Sequence, residues 1–204
     1  MKKILLTTIL SLFYVTSASA EIGVNIGVAG QMGLFAATAK ETNTSNTSKV
    51  NQDTEIAGVG YASIFIEKTL GEHLAIGVDY VPSALESDTV ETSKQDLSGT
   101  SNGALASNKT NKLQVDFEDL TTIYLSLNLG DAYIKAGVSS VDVSTNESLG
   151  TGGSYGNTSL DGTLIGIGYN RTFDNSMFVR IETNYIEFDG ASLTSNDDKI
   201  TLKN

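Results

Sequence analysis

The chain has 204 residues, no cysteine, no tryptophan, a single proline and a formal net charge of −11. The lack of thiols excludes a disulfide framework and a thiolate metal site, and the acidic balance disfavours nucleic acid and anionic surfaces. Beyond the first twenty residues no run reaches 18 continuous apolar positions, so a spanning helix is not expected; a spanning strand needs only about 9–11 residues, alternately apolar.

The chain opens with "MKKILLTTILSLFYVTSASA": a basic start, an apolar stretch and the small-x-small ending Ala18-Ser19-Ala20. This reads as an export signal over residues 1–20, leaving one domain over residues 21–204. Loss of Lys2 and Lys3 with the leader moves the formal charge from −11 to −13. In the first strand, "IGVNIGVAG", Ile22, Val24, Ile26 and Val28 share a face opposite Gly23, Asn25, Gly27 and Ala29. Residues 40–54 are polar and aperiodic and read as a loop. The second strand, residues 56–68, is less regular: Ala62, Ile64 and Ile66 oppose Tyr61, Ser63, Phe65 and Glu67. A tight turn at Gly71-Glu72 leads to "HLAIGVDYV", which Pro82 stops because proline cannot donate to a ladder.

A second polar stretch, residues 82–111, reads as a long loop. In the fourth strand Leu113, Val115, Phe117, Thr121, Ile123, Leu125 and Leu127 are odd, while Gln114, Asp116, Glu118, Thr122, Tyr124 and Ser126 are even; Asp119 and Leu120 interrupt the pattern. Gly130-Asp131 turns the chain into a strand with Ile134, Ala136 and Val138 opposite Tyr133, Lys135 and Gly137. After another expected loop, residues 144–160, Ile165, Ile167 and Tyr169 alternate with Gly166 and Gly168. Asp174-Asn175 turns into "FVRIETNYIEF", with Val179, Ile181 and Tyr185 opposite Arg180, Glu182 and Asn184. A short loop, residues 189–198, precedes "KITLKN", the start of an eighth strand.

Long polar connections alternate with tight turns, as they do in a meander that keeps long loops at one end. Two-faced strands alone fit a soluble sandwich as well as a barrel. Export, the loop alternation and the inward residues of both signs favour the barrel. Asp79, Asp116, Glu118, Lys135, Arg180 and Glu182 are the candidate interior charge network, with mutual neutralisation expected. Tyr80, Phe117, Tyr169, Phe173, Phe178, Tyr185 and Phe188 are candidates for an interfacial aromatic belt.

Catalytic signals are sparse. His73, the sole histidine, sits beside a short turn, away from the long loops, and no nucleophile–base set converges with it. "GTGGSYG" at residues 150–156 lacks the lysine and helix of a phosphate loop. The acids Glu86, Asp88, Glu91 and Asp96 read as a solvated loop. Neither an enzyme nor a cofactor or metal is expected.

"ASIFIEKTL", "AIGVDYVPSALES", "AGVSSVDVSTNESLGTGGSYGNTSLDG" and "IEFDGASLTS" carry a resemblance to the small outer-membrane proteins of the opacity-protein and OmpA-type class, above all to opacity-like barrels of AT-rich marine bacteria. The resemblance covers essentially the whole mature chain, though these stretches are not catalytic signatures. It implies an all-β, eight-stranded antiparallel meander barrel crossing the outer membrane after export through the periplasm. Outer-membrane lipid and the barrel-insertion machinery are the partners it implies, with surface ligands at the long extracellular loops. The expected function is structural or surface contact; the alternatives are a small porin-like channel and a secreted soluble β-sandwich binding module. One departure stands out. Such proteins end in a complete strand with a terminal aromatic residue, whereas this sequence ends "ITLKN", so a truncated last strand is expected.

Overall fold

The computed structural model describes residues 9–12, 23–43, 50–82, 85–86, 89–96, 107–149, 154–174, 177–196 and 200–203. Among them are twelve strands and no helix: β1 (Ile9–Leu12), β2 (Val24–Asn43), β3 (Val50–Leu70), β4 (Leu74–Val81), β5 (Leu85–Glu86), β6 (Val90–Asp96), β7 (Ser107–Leu129), β8 (Ala132–Leu149), β9 (Thr158–Thr172), β10 (Phe178–Phe188), β11 (Ser192–Thr194) and β12 (Ile200–Lys203). Seven of these, β2, β3, β4, β7, β8, β9 and β10, pair antiparallel in that order in one curled half-barrel sheet. β5 and β6 continue the row of β4 along the upper part of β7.

The short β1 lies between the first and last of the seven. Its four residues pair with Ile181–Asn184 of β10 on one side and with Gly30–Gly33 of β2 on the other. It falls inside the stretch read as a leader, most of which lies outside the described residues. β12 pairs with Lys40–Asn43 higher on the same edge of β2 and runs down that edge.

The lower end of the sheet is made of tight turns. Leu129 and Ala132 pair across Gly130-Asp131, with Gly130 at φ 73°. Gly71, at φ 74°, opens the turn between β3 and β4. These left-handed positions suit glycine and match the twist of antiparallel arms. Asn175, of the third expected turn, lies outside the described residues.

The stretches expected to be loops are a correction. β2 and β3 pair continuously up to Thr42↔Val50, and β7 and β8 up to Asn111↔Leu149. Much of residues 40–54, 82–111 and 144–160 is therefore strand, and residues 189–198 include β11. Backbone pairing carries the hairpin arms on after the need for alternation has ended. Where water reaches both faces, polar side chains suit either one, and the period of two disappears.

In the lower sheet the apolar face points outward. Ile26, Val28, Ile64, Ile66, Ile76, Val78, Ile123, Leu125, Ile134, Val138, Ile165 and Ile167 are all exposed, whereas Ser63, Glu67, Ser126, Lys135, Arg180 and Glu182 are buried. That is the reverse of a water-soluble protein, in which contiguous exposed apolar patches are small.

In the upper sheet the polarity inverts. On β9 the outward residues change from Ser159, Asp161 and Thr163 to Ile165, Ile167 and Tyr169, while the inward ones change from Leu160 and Leu164 to Gly166 and Gly168. A second buried layer, Val141, Val143 and Leu160, packs with Val115, Phe117 and Leu120 above the charged level. Tyr61, Val81, Leu164 and Ile186 form a further apolar cluster.

A β-bulge on β7 accommodates this change. Glu118 pairs with Asp142 and Thr121 with Ser140, so Asp119 and Leu120 together oppose Val141. Asp119 takes φ 54°, a left-handed conformation that aspartate tolerates better than most residues. One extra residue switches the parity of the strand. Below the bulge even positions face inward; above it the odd Val115 and Phe117 do.

Candidate functional site

The charged interior is built from strands that are not neighbours, which is possible because the sheet curls. Glu67 of β3 and Arg180 of β10 meet as a two-pronged pair: Arg180 Nη1 donates to Glu67 Oε2 at 3.3 Å and Nη2 to Oε1 at 3.2 Å. Tyr124 Oη donates to Glu67 Oε2 at 3.1 Å, and Asn25 Nδ2 to Oε1 at 3.3 Å. The guanidinium lies 5.0 Å from the ring centre of Phe65, 4.9 Å from Tyr133 and 5.4 Å from Phe178. Aromatic faces and a forked carboxylate together replace the water that the cation has lost.

Beside this pair sits a second. Lys135 Nζ lies 2.5 Å from Glu182 Oε1, with both side chains almost fully buried. Tyr133 Oη also donates to Glu182, and Asn184 Nδ2 donates to its Oε1 at 2.6 Å. Lys135 further stands 4.5 Å over the Tyr124 ring. Glycines make the room: a Cβ on Gly168 would lie 2.2 Å from Tyr133 Cζ, and one on Gly77 would lie 2.4 Å from Tyr124 Cζ.

Asp79 lies at the edge of this network, accepting a 3.0 Å hydrogen bond from Ser63, which in turn accepts one from Gln31 at 2.7 Å. A small cavity separates it from the second pair and is lined by Gln31, Asp79, Thr122, Lys135, Glu182 and Asn184 among others.

The structure thus brings together Lys135, Arg180, Glu182 and, at the margin, Asp79. Asp116 and Glu118 are not with them. The bulge places both on the opposite face of β7 from Thr122, where Asn146 donates to Asp116 and Ser144 Oγ donates to Glu118 at 3.3 Å. Their expected place in the interior is corrected by this parity switch.

Glu67 is the residue that sequence reasoning missed. Alternation put it on the right face, but Phe65 and Tyr61 share that face and Ile64 and Ile66 the other, so neither looked polar. The aromatic expectation divides similarly. Tyr80, Tyr169 and Phe173 face outward, whereas Phe178 is buried and Phe117 and Phe188 pack inside.

Comparison with family models, curated proteins and solved structures found no match. The geometry alone therefore carries the functional reading. Two outward tyrosines are tethered to carboxylates near opposite ends of the exposed apolar band. Tyr80 donates to Asp119 at the bulge, and Tyr169 donates at 2.9 Å to Asp131 in the lower turn, where Arg171 also binds. Lys68 stands outward near the lower turn, its long stem able to carry the amine to water. No helix of the described residues is long and apolar enough to cross a membrane, which bears only on helices. His73 lies exposed in a lower turn, its carbonyl accepting from Asn128 N at 2.6 Å. The described residues contain no group of metal-ligating side chains. Residues 150–153 of the glycine-rich run and Asp88 lie outside the described residues.

Proposed function

We propose that this chain is an outer-membrane β-barrel protein of the opacity and OmpA-type class, serving structure or surface contact. One observation carries the reading: an exposed apolar girdle around a buried charged interior, with the polarity restored above it. In water such a girdle is unstable; in hydrocarbon it is what the solvent requires. On β7 the outward run from Thr121 to Leu129 spans about nine residues, which at about 3.4 Å each and a tilt of about 40° rises roughly 23 Å, close to the apolar band of such barrels.

On this reading the full barrel has eight strands. The eighth occupies the position between β10 and β2 that Ile9–Leu12 fills here, on the edge down which β12 runs. The turns face the periplasm, and the extended hairpins stand outside the cell as the contact surface. The cross-linked interior supports a filled barrel over a channel, as expected for this strand number.

Membrane fractionation followed by paired unheated and heated gels tests the proposal. A compact, heat-modifiable band in the outer-membrane fraction is the expected result. Soluble periplasmic protein without such a band would overturn it in favour of a sandwich. Single-channel conductance in planar bilayers would promote the porin-like alternative.

A further inference from the structure

Among the described residues the interior carries an uneven count of charges. Glu67, Asp79 and Glu182 stand against Arg180 and Lys135, and the two cations are each committed to one of the glutamates. Asp79 has no cation within ion-pair distance among the described residues. Among the described residues its one side-chain hydrogen bond comes from the neutral Ser63 hydroxyl.

Among the described residues, the elements packed around Asp79 supply no further cation. From β3, Tyr61 lines the same cavity; from β7, Tyr124 is already bound to Glu67. β8 supplies Lys135 and β10 supplies Glu182, while β2 offers the uncharged Gln31 and β9 only Leu164; Arg180 of β10 is outside this lining, on Glu67. An independent observation comes from Asn184, which lines this cavity, is 5% exposed, and has an Oδ1 without a donor. Its Nδ2 is fixed on Glu182, so the amide cannot simply be reversed. A half-buried excess carboxylate and an acceptor lacking a donor both call for a positive, hydrogen-bearing or oxygen-seeking species, since a charge withdrawn from water without a partner is costly.

We propose that the interior takes up one unit of positive charge in the cavity beside Asp79, delivered either as a proton on Asp79 or as a small monovalent cation. This deepens the barrel reading and rests on it, because an interior flooded by bulk water would need no such partner.

The test is infrared spectroscopy of the full chain folded in detergent, comparing wild type with Asp79→Asn at neutral pH. The carbonyl band of one protonated carboxyl per chain, lost in the variant, establishes the proton. If that band is absent, a rise in the urea midpoint of the wild type on replacing choline by sodium, abolished in Asp79→Asn, establishes the cation. Absence of both signals overturns the proposal. Ser63→Ala provides a second comparison if Asp79→Asn does not fold: loss of its hydroxyl shifts the carboxyl band or weakens the sodium effect, and an unchanged response again overturns it. Unheated gels of the same samples keep the two readings apart, since a wild type without a compact band overturns the barrel itself.

Discussion

Arg180 shows how much one inward side chain can depend on its surroundings. It is held by Glu67 and packed near three aromatic rings. Replacing it with methionine keeps much of the stem but leaves Glu67 buried without a cation. We expect Arg180→Met to lose about 3–5 kcal/mol of stability, read as urea unfolding in micelles, and Glu67→Met combined with Arg180→Met to regain most of that loss. Strict alternation in "FVRIETNYIEF" made Arg180 and Glu182 legible as inward groups. Their partners were less so. Glu67 sits among inward aromatics, and that mixture masks a polar face until the cation it serves is known.

Among the elements, β7 carries the clearest alternation, yet that alternation points two site residues to the wrong face. Its odd–even pattern looks continuous from Leu113 to Leu127 because apolar residues fall on odd positions both above and below the bulge. The physical meaning of that pattern nevertheless reverses. Below, odd positions meet the exterior band; above, they pack on Val141, Val143 and Leu160. The two irregular residues, Asp119 and Leu120, were the only signal. Deleting Asp119 is expected to swing Asp116 and Glu118 inward and Val115 and Phe117 outward, or to shear β7 against β8. The deletion should abolish the compact gel band, while Asp119→Gly, which suits the left-handed backbone, should retain it. The hairpin extensions were illegible for a different reason: strands wetted on both faces need no alternation, so only backbone pairing marks them.

At the scale of the whole molecule, the girdle predicts that position relative to the polarity border, rather than exposure, decides the effect of a charge. Ile165 and Thr163 both point outward from β9, two residues apart on either side of that border. Ile165→Arg should cost more than Thr163→Arg on folding into lipid vesicles, because the cost of an outward arginine rises from about 0–1 kcal/mol at the border toward about 2–4 kcal/mol at the middle of the band. Equal costs would place both in one solvent and contradict the membrane reading. The all-β class and lower strand faces were legible because the exposed apolar face and the packed interior take opposite kinds of residue at alternate positions. The curl was not, since it depends on which distant strands meet.

The pairing order also has a temporal consequence. Most neighbours in the sheet are neighbours in the chain, so their ladders can zip from nearby turns. Arg180 and Glu67 are 113 residues apart and become partners only when the last strands swing round to the first. The ion pair is thus a late-forming latch. Weakening it should leave the folding rate nearly unchanged and shorten the lifetime of the folded state.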